Sequence, residues 1–194
     1  MGLLTRLLGN HKVATRTDVP NYRPENALQR QVDTIRYAEA QLSNIEYGIV
    51  LGAILRSAPA RVLIFGQGRD SELWTEGNKG GVTVFLEDVA KWFREIPNAE
   101  SHLVTYPGLV VPDHVRQVSW DIILVDGPRG CKPEHPGRGE SIRASSELVA
   151  TDGIVFVHDY DRPAERSFCR QHLGQPTAEV YRMAVFVRAI RTIQ

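Results

Sequence analysis

Residues 61–71 read Arg61-Val62-Leu63-Ile64-Phe65-Gly66-Gln67-Gly68-Arg69-Asp70-Ser71, an apolar run that breaks into two spaced glycines and then an acidic-hydroxyl pair. An apolar run without polar alternation suits a strand covered on both faces, the situation of a parallel sheet between helices. Gly66 and Gly68 let the chain turn tightly and bring backbone N–H groups close to a ligand, at the electropositive mouth of a helix expected near Asp70-Glu76. The same texture recurs downstream. Strands are expected at Arg61-Phe65, Val82-Leu86, His102-Thr105, Asp121-Val125 and Gly153-Val157, and further helices near Asp88-Ile96, Glu140-Ala150 and Arg162-His172. This alternation predicts an α/β fold with a mostly parallel sheet and helices on both faces. The tail from Ala178 to Ile190, with Val180, Tyr181, Val185, Phe186 and Val187, predicts one or two closing strands.

Upstream of the first strand, Ala27, Ile35, Ala38, Leu42, Ile45, Ile49 and Leu55 recur mostly every three or four residues, which predicts a helical lead-in broken near Ser43-Asn44. The first 24 residues read as an arm whose Leu3, Leu4, Leu7 and Leu8 share one side of a short helix and are expected to dock on the chain's own core or a partner protein, with weak membrane docking as the alternative. The expected organisation is an arm at 1–24 and a single domain at 25–194, with the helical lead-in at 25–57. At 194 residues the chain fits one core, given a prior of about 150 residues per domain.

Its 42% apolar and 24% charged residues are ordinary for a globular chain. Lys+Arg and Asp+Glu are 23 each, so no uniform basic field exists to hold nucleic acid. No apolar run approaches the ~20 residues of a membrane span. Cys131 and Cys169 are too few and too isolated for a disulfide framework or zinc knuckle, and a cytoplasmic location is expected. A homo-oligomer is compatible with all of this.

In an open parallel sheet, ligands bind beyond the carboxyl ends of the strands. Glu87 ends the second expected strand, 19 positions after Gly68, the spacing at which a carboxylate accepts both hydroxyls of an adenosine ribose. The third glycine of a dinucleotide fingerprint would fall at Ser71, which disfavours NAD. S-adenosylmethionine needs only the glycine turn, the ribose carboxylate and an acceptor for its ammonium group, a role open to Asp70. Helix N-capping is the competing role for Asp70 and Ser71.

The fourth expected strand ends in Asp126 and the fifth in His158-Asp159. Two neighbouring strands thus deliver carboxylates to the place where an acceptor hydroxyl would lose its proton. Asp126 and Asp159 offer hard oxygens suited to Mg²⁺ or Mn²⁺; the metal-free alternative is general base catalysis by Asp126 or His158. Helix capping by Asp159 or Asp161 is the structural alternative. Trp74 and Trp92 are expected to pack rather than to stack on a sugar.

The set VLIFGQGRDSELW, GGVTVFLED, DIILVDGPRG, EHPGRGESI and VFVHDYDR, spread over Ala60 to Leu173, resembles in order and spacing the glucuronoxylan 4-O-methyltransferase family of plant cell-wall enzymes and its microbial relatives. The resemblance implies a Rossmann-like, S-adenosylmethionine-dependent methyltransferase acting on a hydroxyl of a sugar acid or another small-molecule or saccharide acceptor. It also implies that Gly66, Gly68, Asp70 and Ser71 hold the cofactor's amino-acid portion and Glu87 its ribose. Asp126 and the Pro136-Gly137-Arg138 loop would then face the acceptor, with His158 and Asp159 beside it. Arg138 is expected to clamp an acceptor carboxylate through its planar fork. The chain departs from the family pattern at Gln67, Arg69, Gly127 and Cys131, and it shows no counterpart of the plant enzymes' membrane anchor.

Overall fold

The computed structural model describes residues 42–130, 132 and 134–188. The expected arm, the lead-in up to residue 41, Cys131 and the last residues of the tail lie outside the described residues.

The described chain opens with α1 (Asn44–Ser57), and its start follows from local chemistry. Ser43 accepts from the Glu46 N–H at 3.3 Å while the Glu46 carboxylate takes the Ser43 N–H at 2.7 Å, a reciprocal capping box at the expected break. The alternating units follow as β1 (Arg61–Phe65), α2 (Ser71–Gly77), β2 (Val82–Glu87), β3 (Glu100–Leu103), α3 (Asp113–Arg116), β4 (Trp120–Val125), α4 (Gly139–Leu148), β5 (Val149–Val157), α5 (Pro163–His172), β6 (Ala178–Val180) and β7 (Met183–Val187).

The seven strands form one sheet in the order β3-β2-β1-β4-β5-β7-β6. The first five are parallel, whereas β7 runs antiparallel to both β5 and β6. Side chains alternate across the strands. Val62 and Ile64 face Val50, Ile54 and Trp74 of α1 and α2, while Leu63 and Phe65 face Ile142, Leu148 and Cys169 of α4 and α5. Covering both faces explains why the strands are apolar throughout. Trp74 is buried, as expected of a packing residue, and stacks on Tyr47 with ring centroids 5.5 Å apart. Cys169 is a buried, free thiol that burial pushes up to about 12.

Three expectations need correction. No helix forms over Asp88-Ile96, where the chain makes one turn, Trp92 N–H and Phe93 N–H both reaching Val89 O, and then runs irregularly. The Gln67 side chain captures the peptide groups a helix would need there, accepting from Arg94 N–H at 3.0 Å and donating to Arg94 O at 2.9 Å, and Pro97 follows three residues later. The third strand begins two residues earlier than expected, at Glu100, because pairing with Val84 rather than apolar content defines this polar edge strand. The fifth strand starts at Val149, its register shifted where β4 bulges between Trp120 and Ile122.

Candidate active site

The order of strands reverses between β1 and β4, and this switch point is where an open α/β sheet has room for a ligand. Gly66 and Gly127 meet there. Gly66 adopts φ +105°, and a Cβ on Gly127 would lie 3.0 Å from Gly66 Cα and 3.1 Å from its nitrogen. The loops after β1 and β4 therefore cross backbone against backbone, with no space for side chains. Gly68 and Ser71 clasp the turn: the Gly68 N–H donates to Ser71 Oγ at 3.0 Å and the hydroxyl donates to Gly68 O at 3.0 Å. Ser71 is fully buried, so its function lies in shaping the loop.

Glu87, at the end of β2, is 3% exposed, and both of its oxygens already take backbone donors, one from Gln67 N–H and the other from Val89 N–H at 2.7 Å. Burial raises its carboxyl above the ordinary value against the pull of those donors. Each oxygen keeps a second lone pair, so a ribose hydroxyl can still be met. The carboxylate also stitches the β1 turn to the loop after β2. Glu87→Ala is accordingly expected to cost ~1–3 kcal/mol of stability through two orphaned donors, one buried and one partly buried, as well as cofactor affinity, which thermal melting and calorimetry with S-adenosylhomocysteine would separate.

Asp70 occupies the position before α2 yet makes no capping bond. Its carboxylate turns instead toward α1 and accepts from the Tyr47 hydroxyl at 3.0 Å. Burial first, and the nearby Asp126 charge second, lift its pKa from 3.8 to about 6. An unfolded chain releases this proton near pH 4 and the folded one near pH 6, so the group destabilises the ligand-free fold as pH rises through that window. A cation beside Asp70 reverses the effect. If this carboxylate receives the ammonium group of S-adenosylmethionine, affinity rises about tenfold from pH 5 to pH 7, following its ionised fraction. Asp70→Asn should weaken binding and flatten that profile; a profile unchanged in Asp70→Asn would remove the residue from the site.

The ends of β4 and β5 bring Asp126, His158 and Asp159 together, as their adjacency in the sheet requires. Asp126 Oδ1 accepts from His158 Nδ1 at 2.9 Å and from Arg138 Nη2 at 3.0 Å, with the ring tautomer assigned from this pairing. Asp126 is 21% exposed through its side chain, while His158 is 1% exposed and its Nε2 is buried without a partner. Among the described residues, Oδ2 of Asp126 accepts no hydrogen bond. Burial alone would push the Asp126 carboxyl up; the His158 hydrogen bond and the Arg138 charge outweigh it and hold the group below the ordinary carboxylate value.

Arg138 does not present its fork to an acceptor. It is 2% exposed and spends its donors inside the protein, on His158 O at 2.5 Å, Asp126 O at 2.8 Å, Pro128 O at 3.4 Å and the carboxylates of Asp126 and Asp159. It is the buried pin between the β4 and β5 ends.

The metal assignment to Asp126 and Asp159 also fails on geometry. Asp159, at φ +60°, is 3% exposed at its side chain and is ringed by three guanidiniums, those of Arg138 at 2.7 Å, Arg162 at 2.8 Å and Arg182. A divalent ion bridging the two carboxylates would sit against the Arg138 charge, and the Asp159 carboxylate is already occupied by three ion pairs. Nor does Asp159 cap a helix, because α5 starts at Pro163 without a side-chain cap.

Sequence reading missed Tyr47, the structural part played by Gln67, and Arg162 and Arg182 beside Asp159. Arg182, in the turn between β6 and β7, also pairs with Asp161 at 3.2 Å, and its N–H donates to Glu46 at 3.0 Å, tying the start of α1 to the sheet edge. Apart from Arg162–Asp159, three positions apart, these contacts join residues 20 to more than 100 positions apart, and no local pattern marks them.

The family model described as IRX15/IRX15L/GXM matches residues 45–110 and 108–184. Arabinogalactan O-methyltransferase 2 of Arabidopsis thaliana is 30% identical, over 69% of this chain and 61% of that protein. Glucuronoxylan 4-O-methyltransferase 2 of the same plant is 32% identical, over 58% of this chain and 53% of that protein. The chain thus spans between half and two thirds of the length of these curated relatives. A solved O-methyltransferase from Bacillus cereus in complex with S-adenosylhomocysteine superimposes with a TM-score of 0.56 at 14% identity, covering 86% of this chain and 91% of that one. The last comparison establishes the fold as the Rossmann-like class I fold of S-adenosylmethionine-dependent methyltransferases, and the family match, which takes in well over half of the sequence, establishes descent: the chain belongs to the IRX15/IRX15L/GXM family.

Proposed function

We propose that the protein is an S-adenosylmethionine-dependent O-methyltransferase whose acceptor is a hydroxyl on a saccharide or a small sugar-like molecule. The observation that carries this reading is the largely buried Asp126 carboxylate, 21% exposed and held ionised by His158 and Arg138, beside the glycine crossing at the switch point. The O-methyltransferase names of its relatives support the same reaction class.

The residues fit the cofactor. Gly66 and Gly68 allow close backbone approach, Asp70 offers a carboxylate for an ammonium group, and Glu87 keeps lone pairs for a ribose. When bound, S-adenosylmethionine supplies an electrophilic methyl group, which an acceptor hydroxyl attacks as sulfur leaves with the electron pair. Oδ2 of Asp126 is the atom free to accept the hydroxyl hydrogen, orienting the oxygen and then receiving its proton. A carboxylate of lowered pKa suffices because a methylated hydroxyl is a far stronger acid than the free alcohol. His158 fixes the rotamer of Asp126 from behind, and Arg138 fixes the loop carrying it.

With Arg138 buried, a cation open to an anionic acceptor is Arg129, exposed in the loop just after Asp126 and close enough to Asp88 to act on its titration. The test is transfer of a labelled methyl group from S-adenosylmethionine to uronic-acid-bearing oligosaccharides, their neutral counterparts and small sugar acids. Label on a saccharide supports the reading. Arg129→Gln should raise KM for the acidic acceptors alone if their carboxylate is recognised there. Cofactor binding with no transfer to any hydroxyl would favour a non-catalytic binding module.

A further inference from the structure

Glu100, His102 and His114 converge away from the switch point. Glu100 and His102 lie two residues apart on the edge strand β3 and so share a face; His114 comes from the first turn of α3. Nε2 of His102 stands 2.6 Å and Nε2 of His114 2.5 Å from the same carboxylate oxygen, Glu100 Oε1. The two rings tilt by 58° with centroids 5.3 Å apart, fanning around a shared point instead of stacking. All three ligand atoms lie within 4.8 Å of one another. Exposed ion pairs contribute little on their own, so hydrogen bonding alone gives weak reason for two imidazoles from separate elements to aim at one oxygen.

We propose that Glu100, His102 and His114 form a binding site for one divalent transition-metal ion of the zinc type. Two imidazole nitrogens and a carboxylate are a common zinc ligand set, with bonds of about 2.0–2.1 Å and a fourth position left to water. Tetrahedral bonds of that length separate ligand atoms by roughly 3.3 Å, so the Glu100 oxygen needs to draw back from each histidine nitrogen by less than about 1 Å, which an exposed glutamate does by rotation. Magnesium and calcium, which take oxygen ligands, do not suit this set. His102 pairs in register with Leu86, next to Glu87, so the ion would pin α3 to the edge strand beside the strand that carries Glu87. Its role there is to stiffen that edge, outside the Asp126 centre.

The experiment is calorimetric titration of chelator-stripped full-length protein with ZnCl₂ and with MgCl₂, together with thermal melting. Wild type is expected to take up one Zn²⁺ per chain at micromolar metal, with a raised midpoint, and no Mg²⁺. His102→Ala and His114→Ala should each weaken zinc binding by about tenfold or more while folding normally, both side chains being at least partly exposed. Absence of zinc binding by wild type would show a hydrogen-bonded triad only and overturn the proposal. Binding that persists undiminished in both variants would place the metal on other residues and overturn it equally. Neither outcome depends on methyl transfer, so failure here leaves the proposed activity untouched.

Discussion

Asp126→Asn is expected to lower kcat by about 10²- to 10⁴-fold, the usual contribution of a positioned proton acceptor, while S-adenosylhomocysteine affinity changes little. The asparagine keeps an oxygen for Arg138 and His158, so the fold survives and only the anionic Oδ2 is lost. His158 acts through Asp126, and the pH profile separates that role from mere packing. Because the Asp126 pKa is depressed, kcat at saturating cofactor should stay flat as pH falls through the ordinary carboxylate range and drop only below it. Removing the His158 donor leaves burial less opposed, so His158→Ala should move this acid limb upward. His158→Asn, which restores a donor near the Nδ1 position, should move it back. A purely structural histidine would lower stability in both variants without shifting the limb.

Arg138→Ala is expected to destabilise the fold by about 3–5 kcal/mol, the range for breaking a buried ion pair from one side, which for a domain of this size lowers the melting midpoint by roughly 6–20 °C. Its guanidinium joins the carboxylates of Asp126 and Asp159 to the carbonyls at the ends of β4 and β5. Arg138→Lys keeps the charge but not the fork, and should recover only part of the loss. Removal also leaves Asp126 with one fewer cation, so residual activity should need a higher pH. If Arg138 were instead an acceptor clamp, both variants would melt like wild type and differ only in acceptor KM.

The core strands were legible because each is buried on both faces, and Val62-Phe65, Val82-Leu86 and Asp121-Val125 were outlined by composition alone. The helix start at Ser43-Asn44 follows from a local pattern, the capping box, whereas the helix expected before it lies outside the described residues. The segment after Glu87 was not legible, because Gln67, more than 20 residues earlier, competes for its backbone. The strand ends carrying Glu87, Asp126 and His158 could be placed from sequence, and the structure brings the last two into contact. What could not be read was how far each polar group is already engaged. Arg138 and Asp159 look like site residues by position, yet burial and mutual pairing turn them inward. Tyr47 looks like a core aromatic, and only the folding of α1 over α2 sets its hydroxyl on Asp70.

Calorimetric titration with S-adenosylhomocysteine and, separately, NAD⁺ tests the cofactor seat at the ends of β1 and β2 most directly. Wild-type protein is expected to bind one S-adenosylhomocysteine per chain and to give no heat with NAD⁺. Asp70→Asn and Glu87→Gln should each weaken binding by ~1–3 kcal/mol, the cost of a lost charged hydrogen-bond partner. Binding of NAD⁺ in place of S-adenosylhomocysteine, or full S-adenosylhomocysteine affinity in both variants, would contradict the seat and the methyl transfer built on it.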